Sequence, residues 1–298
     1  MIIGELAALG TAVMWSLTAV FFSYSGRRVG SQVVNRSRLI FAFLFLSLAH
    51  LILQGTLFPW DAEPFRWFWF AVSAILGLVL GDTFLFRAYV LIGPRLSMLL
   101  MSTVPIYSVI FGWLLFDEQI TSLELTGILL AVAGIAWVVT EKRTGKTAVE
   151  NKQYRKGILF GLAGALGQVA NLVTARYGLV GDYPSISAAI IRIFVGLIVL
   201  WLLAALTRQV RYTFEQWRDR KALRAIIAGA FVGPFLGIWL SLIAVQSARL
   251  GIAATLMALP PILLIPIEYI AYKQRVSRRG IVGTAVAIFG VALIFLPQ

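Results

Sequence analysis

The chain has no cysteine and a single histidine among its 298 residues. The absence of cysteine excludes disulfides and thiolate metal sites, and it leaves the redox compartment undetermined. His50 lies near the end of an apolar run, without a second histidine to form a catalytic or metal-binding pair. Acidic residues are also scarce, 13 against 26 lysines and arginines. We therefore expect no metal site and no other cofactor.

Charged residues of either sign make up only 13% of the chain, whereas 60% of the residues are hydrophobic. Mean hydropathy is +0.88. This is more apolar surface than a soluble protein of this length needs, and it predicts a polytopic membrane protein. The net charge of +13 could indicate nucleic-acid binding. Because the positive residues lie between the apolar runs, as in membrane loops, we expect no nucleic-acid partner.

Ten apolar runs are long enough to cross the hydrocarbon core, which takes about 20 helical residues. They lie at residues 3–24, 33–53, 66–88, 94–115, 121–140, 157–177, 184–206, 223–247, 250–272 and 278–296. The first run has no basic leader and exceeds the apolar core of a signal peptide, so we predict that it stays in the protein. Backbone groups in lipid must bond within their own segment, so the predicted fold is all-α.

Part of the chain occurs twice, because residues 81–140 align without a gap with residues 237–296, a shift of 156 positions (237 − 81). At one hydrophilic break the charge changes sign, since Asp117–Glu118 align with a segment that contains Lys273 and Arg275. Equivalent loops of opposite charge are typical of transporters built from two halves inserted in opposite directions. Ten aligned positions are identical, namely Gly81/Gly237, Ala88/Ala244, Leu100/Leu256, Met101/Met257, Pro105/Pro261, Ile106/Ile262, Gly127/Gly283, Ala131/Ala287, Gly134/Gly290 and Ala136/Ala292.

The number of spans leads to the same topology. Five spans in each half is an odd number, so we predict two inverted five-helix repeats at residues 1–140 and 157–298, joined by a charged cytoplasmic linker at 141–156. All but four of the 26 basic residues lie in or beside the odd-numbered loops. The positive-inside rule places these loops in the cytoplasm, and both termini then lie in the periplasm of a cell with an inner membrane.

Proline interrupts the fourth and ninth spans at equivalent positions, Pro105 and Pro261. Each lies eleven residues into its span, a depth of about 16 Å at 1.5 Å per residue, near the bilayer midplane. Pro260 precedes Pro261, and Pro234 interrupts the eighth span. Proline removes a helix hydrogen bond and frees a carbonyl. We interpret the four prolines as hinges or as unwound backbone facing a substrate, with ordinary packing kinks as the alternative.

Residues in the middle of the spans are candidates to line a substrate cavity. Gln168 and Asn171 lie one turn apart and share a helix face. Buried amides are costly without partners, so they should face the interior of the bundle. The alternative for each candidate is an interhelical hydrogen bond that involves no ligand. The candidates are Trp15, Ser16, Met101, Tyr107, Gln168, Asn171, Trp239, Ser241 and Gln246.

Four charged residues within the spans are candidates for gating. We expect Asp82, toward the cytoplasmic end of the third span, to pair with Arg38 or Arg87 and to close the inner end of the pathway. Snorkelling at the interface is the alternative. Arg192 lies about 12 Å deep in the seventh span, and it matches Arg38 when the early helices of the halves are aligned. A charge at that depth is a functional candidate, and a structural contact to carbonyls is the alternative.

These features together resemble the drug/metabolite transporter superfamily, EamA type. The features are ten spans in two inverted halves, broken fourth and ninth spans, early arginines in the second and seventh spans, and the endings Thr126–Gly127 to Gly134 and Val282–Gly283 to Gly290. The resemblance covers essentially the whole chain, and within the superfamily the chain is similar to bacterial exporters of amino acids and related metabolites, including aromatic amino acids. It implies a central cavity between the halves that opens alternately to each side, a small-molecule substrate and surrounding lipid, and it leaves monomer or homodimer open.

The chain departs from other branches of the superfamily. Small four-helix members carry a glutamate midway along the first helix, where this chain has Trp15–Ser16. Sugar-phosphate members hold phosphate with basic residues, whereas our cavity candidates are aromatic or neutral and polar. We therefore expect a zwitterion with an apolar side chain, and carriers of sugar phosphates, nucleotide sugars or cationic drugs are the alternatives. A channel is less expected. We expect no enzyme, because the spans contain no nucleophile–base pair and no second aspartate.

Overall fold

A computed structural model describes residues 2–116, 121–140, 148–181, 183–247, 256–272 and 277–294. These residues form helices and no β-strand, in agreement with the predicted all-α fold. The segments that carry the change of charge sign, 117–118 and 273–275, lie outside the described residues, as does 141–147 of the predicted linker.

The helices follow one another with short connections. They are α1 Ile2–Val29, α2 Ser31–Gln54, α3 Pro64–Ala74, α4 Asp82–Ile92, α5 Pro94–Met101, α6 Val104–Phe116, α7 Ser122–Val139, α8 Ala148–Gly178, α9 Ser185–Leu206, α10 Val210–Gln216, α11 Arg220–Ala230, α12 Ile238–Ser247, α13 Pro260–Tyr272 and α14 Arg278–Ile294. Two π-helical segments of seven residues, π1 Ile75–Gly81 and π2 Phe231–Gly237, join α3 to α4 and α11 to α12.

Eight helical stretches in the described residues are long and apolar enough to cross a membrane. They correspond to the first eight predicted spans. Of the ninth and tenth predicted spans, the structure describes α13 with 13 residues and α14 with 17 residues. The eight stretches are Ile3–Val29, Ser31–Gln54, Pro64–Ile92, Pro94–Phe111, Ser122–Val139, Val149–Ala175, Ser185–Leu206 and Arg220–Ser241. The chain is thus a multi-pass membrane protein, and the count of ten spans stays a prediction.

Two helices extend beyond their predicted ends. Helix α1 runs to Val29 rather than residue 24, and Arg27 and Arg28 occupy its last turn, where cations interact favourably with the helix dipole. Helix α8 begins at Ala148, inside the segment predicted as a linker at 141–156. The Glu, Lys, Gln and Arg residues of this segment all have high helix propensity. A polar helical turn therefore projects from the apolar span, where composition alone indicated a flexible connection.

The backbones of α7 and α14 come very close to each other. A Cβ atom added to Gly127 would lie 2.6 Å from the carbonyl oxygen of Gly290, and one added to Gly134 would lie 2.7 Å from that of Gly283. Residue numbers rise along one helix as they fall along the other, so the two helices are antiparallel. Small residues at this spacing allow such an approach and favour van der Waals packing between membrane helices.

Segment π1 packs against α8 through two glycines. A Cβ atom on Gly77 would lie 2.6 Å from Cγ of Asn171. A Cβ atom on Gly167 of α8 would in turn lie 2.7 Å from Cα of Gly81. The first and last turns of π1 therefore touch α8 directly, with no room for a side chain between them.

Segment π2 packs against α1 in the same way. A Cβ atom on Gly233 would lie 2.5 Å from Oγ1 of Thr18, and one on Gly237 would lie 2.8 Å from Nε1 of Trp15. Gly233 and Gly237 follow the two glycines of π1 by 156 positions, the shift that aligns the sequence repeat, and π1 and π2 are offset by the same number. Each repeat thus packs its third span against the first helix of the other repeat.

Candidate functional site

A buried ion pair lies where α2, α4 and α8 meet. Nη2 of Arg38 donates a hydrogen bond to Oδ2 of Asp82, and the two side chains are only 6% and 8% exposed. Nε2 of Gln168 donates to the other carboxylate oxygen, Oδ1, at 2.9 Å. Both oxygens of Asp82 are therefore occupied, one by a residue of its own repeat and one by a residue of the other.

The hydrogen bonds continue along α8 to α9. Nδ2 of Asn171 donates to Oε1 of Gln168 at 3.1 Å, and Nη2 of Arg192 donates to Oδ1 of Asn171 at 2.7 Å. Oγ of Ser73 donates to the same Oδ1 at 2.6 Å. Asn171 is itself only 4% exposed. We call the connected residues Arg38, Asp82, Gln168, Asn171 and Arg192 the polar network.

Asn35 fixes the Arg38 end of the polar network. Its Oδ1 accepts a hydrogen bond from Nε of Arg38 at 3.0 Å. Its Nδ2 donates to Oγ1 of Thr83 at 3.1 Å and to the carbonyl oxygen of Leu78, within π1, at 3.3 Å. The Arg38 guanidinium also lies over the Phe86 ring, 4.8 Å from its centroid. Arg38 is thus held by hydrogen bonds and by a cation–π contact.

The Arg192 end is less completely satisfied. Nε of Arg192 is buried and has no hydrogen-bond partner, although the side chain as a whole is half-buried. Arg192 forms no ion pair with any carboxylate among the described side chains. Two guanidiniums and one carboxylate give the polar network a formal surplus of one positive charge.

Asp82 pairs with Arg38, which was the first of the two expected partners. The other, Arg87, places its guanidinium over the Phe160 ring, 5.4 Å from the centroid. The expectation of a neutral site needs amendment here, because Gln168 and Asn171 contact Asp82 and Arg192 directly. The cavity candidates on α8 and the charged candidates form one connected group.

The two serine candidates bond within their own helices. Ser16 is fully buried, and its Oγ donates to the Ala12 carbonyl oxygen at 2.7 Å. Oγ of the half-buried Ser241 donates to the Ile238 carbonyl oxygen at 2.6 Å. Their hydroxyl protons are therefore already committed to the helix backbone, and neither serine joins the polar network.

The aromatic candidates lie apart from the polar network. Trp15 is half-buried against Gly237, and Trp239 is 45% exposed with its ring 6.1 Å from that of Phe235. Met101 and Tyr107 are half-buried, on either side of the break in the fourth span. The remaining candidate, Gln246, has its side chain outside the described part of the chain.

The chain breaks where the matched prolines predict. The fourth span is interrupted at Ser102–Thr103, and α6 begins one residue before Pro105. In the ninth span Leu256 and Met257 are helical, residues 258–259 are not, and α13 begins with Pro260–Pro261. The two breaks are again 156 positions apart. Pro234 lies inside π2 rather than at a break.

Three residues of the site escaped sequence reasoning, namely Asn35, Ser73 and Thr83. Each is a small polar residue in an apolar span, the same signal that selected Gln168. Asn35 also precedes Arg38 by three residues on α2, a spacing that brings two side chains together on a helix. The nearby π1 has no proline to reveal it, and its glycines alone did not distinguish it from an α-helix.

His50 lies away from the polar network. Its Nδ1 is 2.6 Å from the Thr56 carbonyl oxygen, and its Nε2 is 2.9 Å from Oγ of Ser187 on α9. A carbonyl can only accept, so Nδ1 carries the proton and Nε2 accepts from the serine hydroxyl. This arrangement ties the end of α2 to the start of α9.

Comparison with known proteins identifies the architecture. A protein of known crystal structure has the same fold with a TM-score of 0.64, at 20% sequence identity, over 97% of this chain and 95% of that one. The uncharacterized transporter YvbV of Bacillus subtilis (strain 168) is 28% identical over 151 residues, which cover 49% of this chain and 48% of that protein. The alignment therefore spans about half the length of this curated relative.

The family comparison covers both repeats. The model of the EamA-like transporter family matches residues 2–140 and again residues 155–296. These two matches fall on the two halves that the internal repeat defines. The chain belongs to the EamA-like transporter family of the drug/metabolite transporter superfamily.

Proposed function

We propose that the protein is a secondary transporter that exports amino acids, including aromatic and apolar ones, and related small metabolites by alternating access. The observation that carries this proposal is that the polar network joins the two repeats beside backbone that is not α-helical. Arg38 and Asp82 belong to the first repeat, and Gln168, Asn171 and Arg192 belong to the second. A buried polar network between two halves is where a membrane transporter places its substrate.

The proposed mechanism uses the paired interruptions of the helices. The breaks near Pro105 and Pro261 occupy equivalent positions in the repeats, and so do π1 and π2. In lipid, irregular backbone is tolerated where protein or a water-filled cavity satisfies it. We infer that the two halves rock about these points, and that the ion pair of Arg38 and Asp82 closes the inner end of the pathway.

The antiparallel contact of α7 with α14 supports an inverted arrangement of the repeats. The two helices are equivalent by the sequence repeat, because Gly127 and Gly134 align with Gly283 and Gly290. Equivalent helices that run in opposite directions fit halves related by a two-fold axis in the membrane plane. We infer ten spans, with five in each half.

The proposed orientation follows from the basic loops. We infer that the odd-numbered loops face the cytoplasm and that both termini are periplasmic in the inner membrane. A carboxy-terminal alkaline phosphatase fusion should then be active, and a green fluorescent protein fusion at the same point should be dark. An inactive phosphatase with a fluorescent fusion would reverse the orientation.

Amino acids suit the combination of aromatic and polar side chains at the candidate site. Trp15 and Trp239 offer apolar surface, and the polar network offers hydrogen-bond donors. A carrier for sugar phosphates or nucleotide sugars is the second candidate, because two arginines in the network also favour an anionic solute.

Uptake into liposomes separates these candidates. Purified protein is reconstituted and screened with labelled amino acids, with and without a pH gradient, and with glycerol 3-phosphate as a representative phosphate ester. We expect saturable, protein-dependent uptake of at least one apolar or aromatic amino acid. Uptake of the phosphate ester without uptake of any amino acid would support the second candidate.

A further inference from the structure

We propose that Arg192 is the binding site for the carboxylate of the substrate, so that the transporter selects monoanionic carboxylate groups. This inference rests on the proposed function and goes further, because it assigns the group that recognises the substrate and the chemistry that it recognises. It starts from the unequal state of the two buried arginines.

The two arginines of the polar network have different partners. Arg38 bonds Asp82 and Asn35 and lies over Phe86. Arg192 bonds Asn171, a neutral amide. A guanidinium stays protonated in proteins. A charge buried in a membrane protein is costly unless it is paired. Arg192 therefore carries the positive charge for which the network lacks a counter-ion.

Asp82 is not available to Arg192. Its Oδ2 accepts from Arg38, and its Oδ1 accepts from Gln168 at 2.9 Å. The chain of amides through Gln168 and Asn171 keeps the Asp82 carboxylate and the Arg192 guanidinium on opposite sides of α8 residues that bond both. An additional anion is required to neutralise Arg192.

The donors left on Arg192 fit a carboxylate. Its Nε–H has no partner, and Nη2 carries two protons, of which Asn171 accepts one at 2.7 Å. Nε and Nη2 form the side edge of the guanidinium, where two parallel N–H groups bind the two oxygens of a carboxylate. Ser73 bonds the same Oδ1 of Asn171, and this fixes the amide that positions the arginine.

The surplus of charge selects the class of anion. Two guanidiniums and the Asp82 carboxylate leave one positive charge, which a carboxylate balances. A phosphate dianion would leave the site with a net negative charge in a poorly solvated region. The half-buried state of Arg192 gives a ligand access to the side chain, since complete burial would leave no surface for binding.

Matched pairs of an amino acid and its amine test this inference although the substrate is unidentified. Thermal unfolding of the purified protein in detergent is measured with L-phenylalanine against 2-phenylethylamine, L-leucine against isoamylamine, and L-threonine against 1-amino-2-propanol. Each amine lacks only the carboxylate of its partner. Inorganic phosphate forms a separate arm. We expect at least one amino acid to raise the unfolding temperature, with no comparable shift from its amine or from phosphate.

Three variants locate the binding site. Arg192→Gln should weaken the response to the amino acid by at least about tenfold in concentration, the effect of losing one or two charge-assisted hydrogen bonds. Arg192→Lys should weaken it less, because lysine retains the charge but not the planar pair of donors. Arg211→Gln is the matched control, since Arg211 lies on α10 with its side chain 92% exposed and pairs with Glu215. It should respond like the wild type.

Several results would overturn the inference. These are equal shifts from the amines and the amino acids, an undiminished response in Arg192→Gln, or no response of the wild type to any of the three amino acids. If Arg192→Gln does not fold, an undiminished response in Arg192→Lys has the same meaning. Protein-dependent transport that does not require a carboxylate would remove the inference and leave the proposed transporter function standing. Absence of transport for every solute would instead contradict the proposed function.

Discussion

At the scale of single residues, the ion pair of Arg38 and Asp82 is the most demanding feature of the molecule. Two charges that are almost completely withdrawn from solvent are tolerated only if their remaining hydrogen-bonding groups are satisfied. Asn35 and Gln168 supply those bonds. The pair is thus better understood as part of an extended network than as an isolated salt bridge.

Removal of one partner should be far more damaging than removal of both. Arg38→Gln or Asp82→Asn leaves a buried charge without its counter-ion, and we expect each to destabilise the protein by about 3–5 kcal/mol. The double variant Arg38→Gln/Asp82→Asn removes both charges and should recover a large part of that loss. Thermal unfolding in detergent measures the three variants. A double variant no more stable than the single variants would contradict the account of the pair.

At the scale of helices, glycines rather than side chains determine where the spans meet. The contact of Gly77 with Asn171 and that of Gly233 with Thr18 are equivalent in the two repeats, and each brings a π-helical segment against an opposing helix. π-helical turns occur frequently at functional sites. Here π1 also provides the Leu78 carbonyl that holds Asn35 beside Arg38.

Alanine at Gly77 should disturb the polar network. The new Cβ atom would lie 2.6 Å from Cγ of Asn171, so Asn171 must move away from Gln168 and Arg192. Overpacking of this kind typically costs about 1–3 kcal/mol, and we expect a lower unfolding temperature together with reduced transport. Liposome uptake and thermal unfolding are measured on the same preparation.

Gly10→Ala is the matched control for that substitution. Its Cβ atom would lie 3.3 Å from Cδ1 of Leu240, the end of a flexible side chain. Alanine also has the higher helix propensity, by about 1 kcal/mol. Stability and transport should therefore be close to wild type. Equal loss in Gly10→Ala and Gly77→Ala would contradict a specific role for the contact with Asn171.

Helix α11 has an acidic cap that predicts a dependence on pH. The Asp219 carboxylate accepts hydrogen bonds from the backbone nitrogens of Ala222 and Lys221 at 3.0 and 3.1 Å, and from Nε of Arg28 at 2.8 Å. The backbone bond from Ala222 is the main cause, and Arg28 the next, that lowers the pKa of Asp219 below its ordinary value. The stabilisation is present above the unfolded pKa of about 4, and it is lost as the pH falls through the lower, folded value.

Asp219→Asn tests this cap. Asparagine can still accept from the backbone of α11 but loses the charge, so we expect a modest fall in unfolding temperature at pH 7. As the pH falls below about 4, the wild-type carboxyl becomes protonated and the two curves should converge. Asp219→Ala removes the cap altogether and should be the less stable variant at every pH. A difference between Asp219→Asn and wild type that grows in acid would contradict the assignment.

The sequence predicts some of these elements well and others not at all. The breaks in the fourth and ninth spans follow from Pro105 and Pro261, because proline has a fixed effect on a helix. Segment π1 contains no proline, and its geometry depends on how closely α8 approaches Gly77, which is a tertiary contact. The network partners Asn35 and Ser73 are likewise determined by packing between distant helices. The start of α8 at Ala148 was missed because a polar segment can be a linker or a helix with the same composition.

At the scale of the whole molecule, the helices of the two repeats pair across the protein rather than within each half. The third span of each repeat packs on the first helix of the other, and α7 packs on α14 in antiparallel fashion. Each half is therefore incomplete without its partner. Such an exchange of contacts gives two bodies that can tilt against each other about shared elements, with the polar network between them.

Counterflow in liposomes tests alternating access most directly. Proteoliposomes are loaded with a high concentration of an unlabelled amino acid taken up in the screen, and are diluted into a trace of the labelled form, with protein-free liposomes as the control. A carrier that exposes one site to each side in turn should accumulate the label transiently above its equilibrium level, and its initial rate should saturate with concentration. A flux that stays linear with concentration and shows no transient accumulation would indicate a channel and contradict the account.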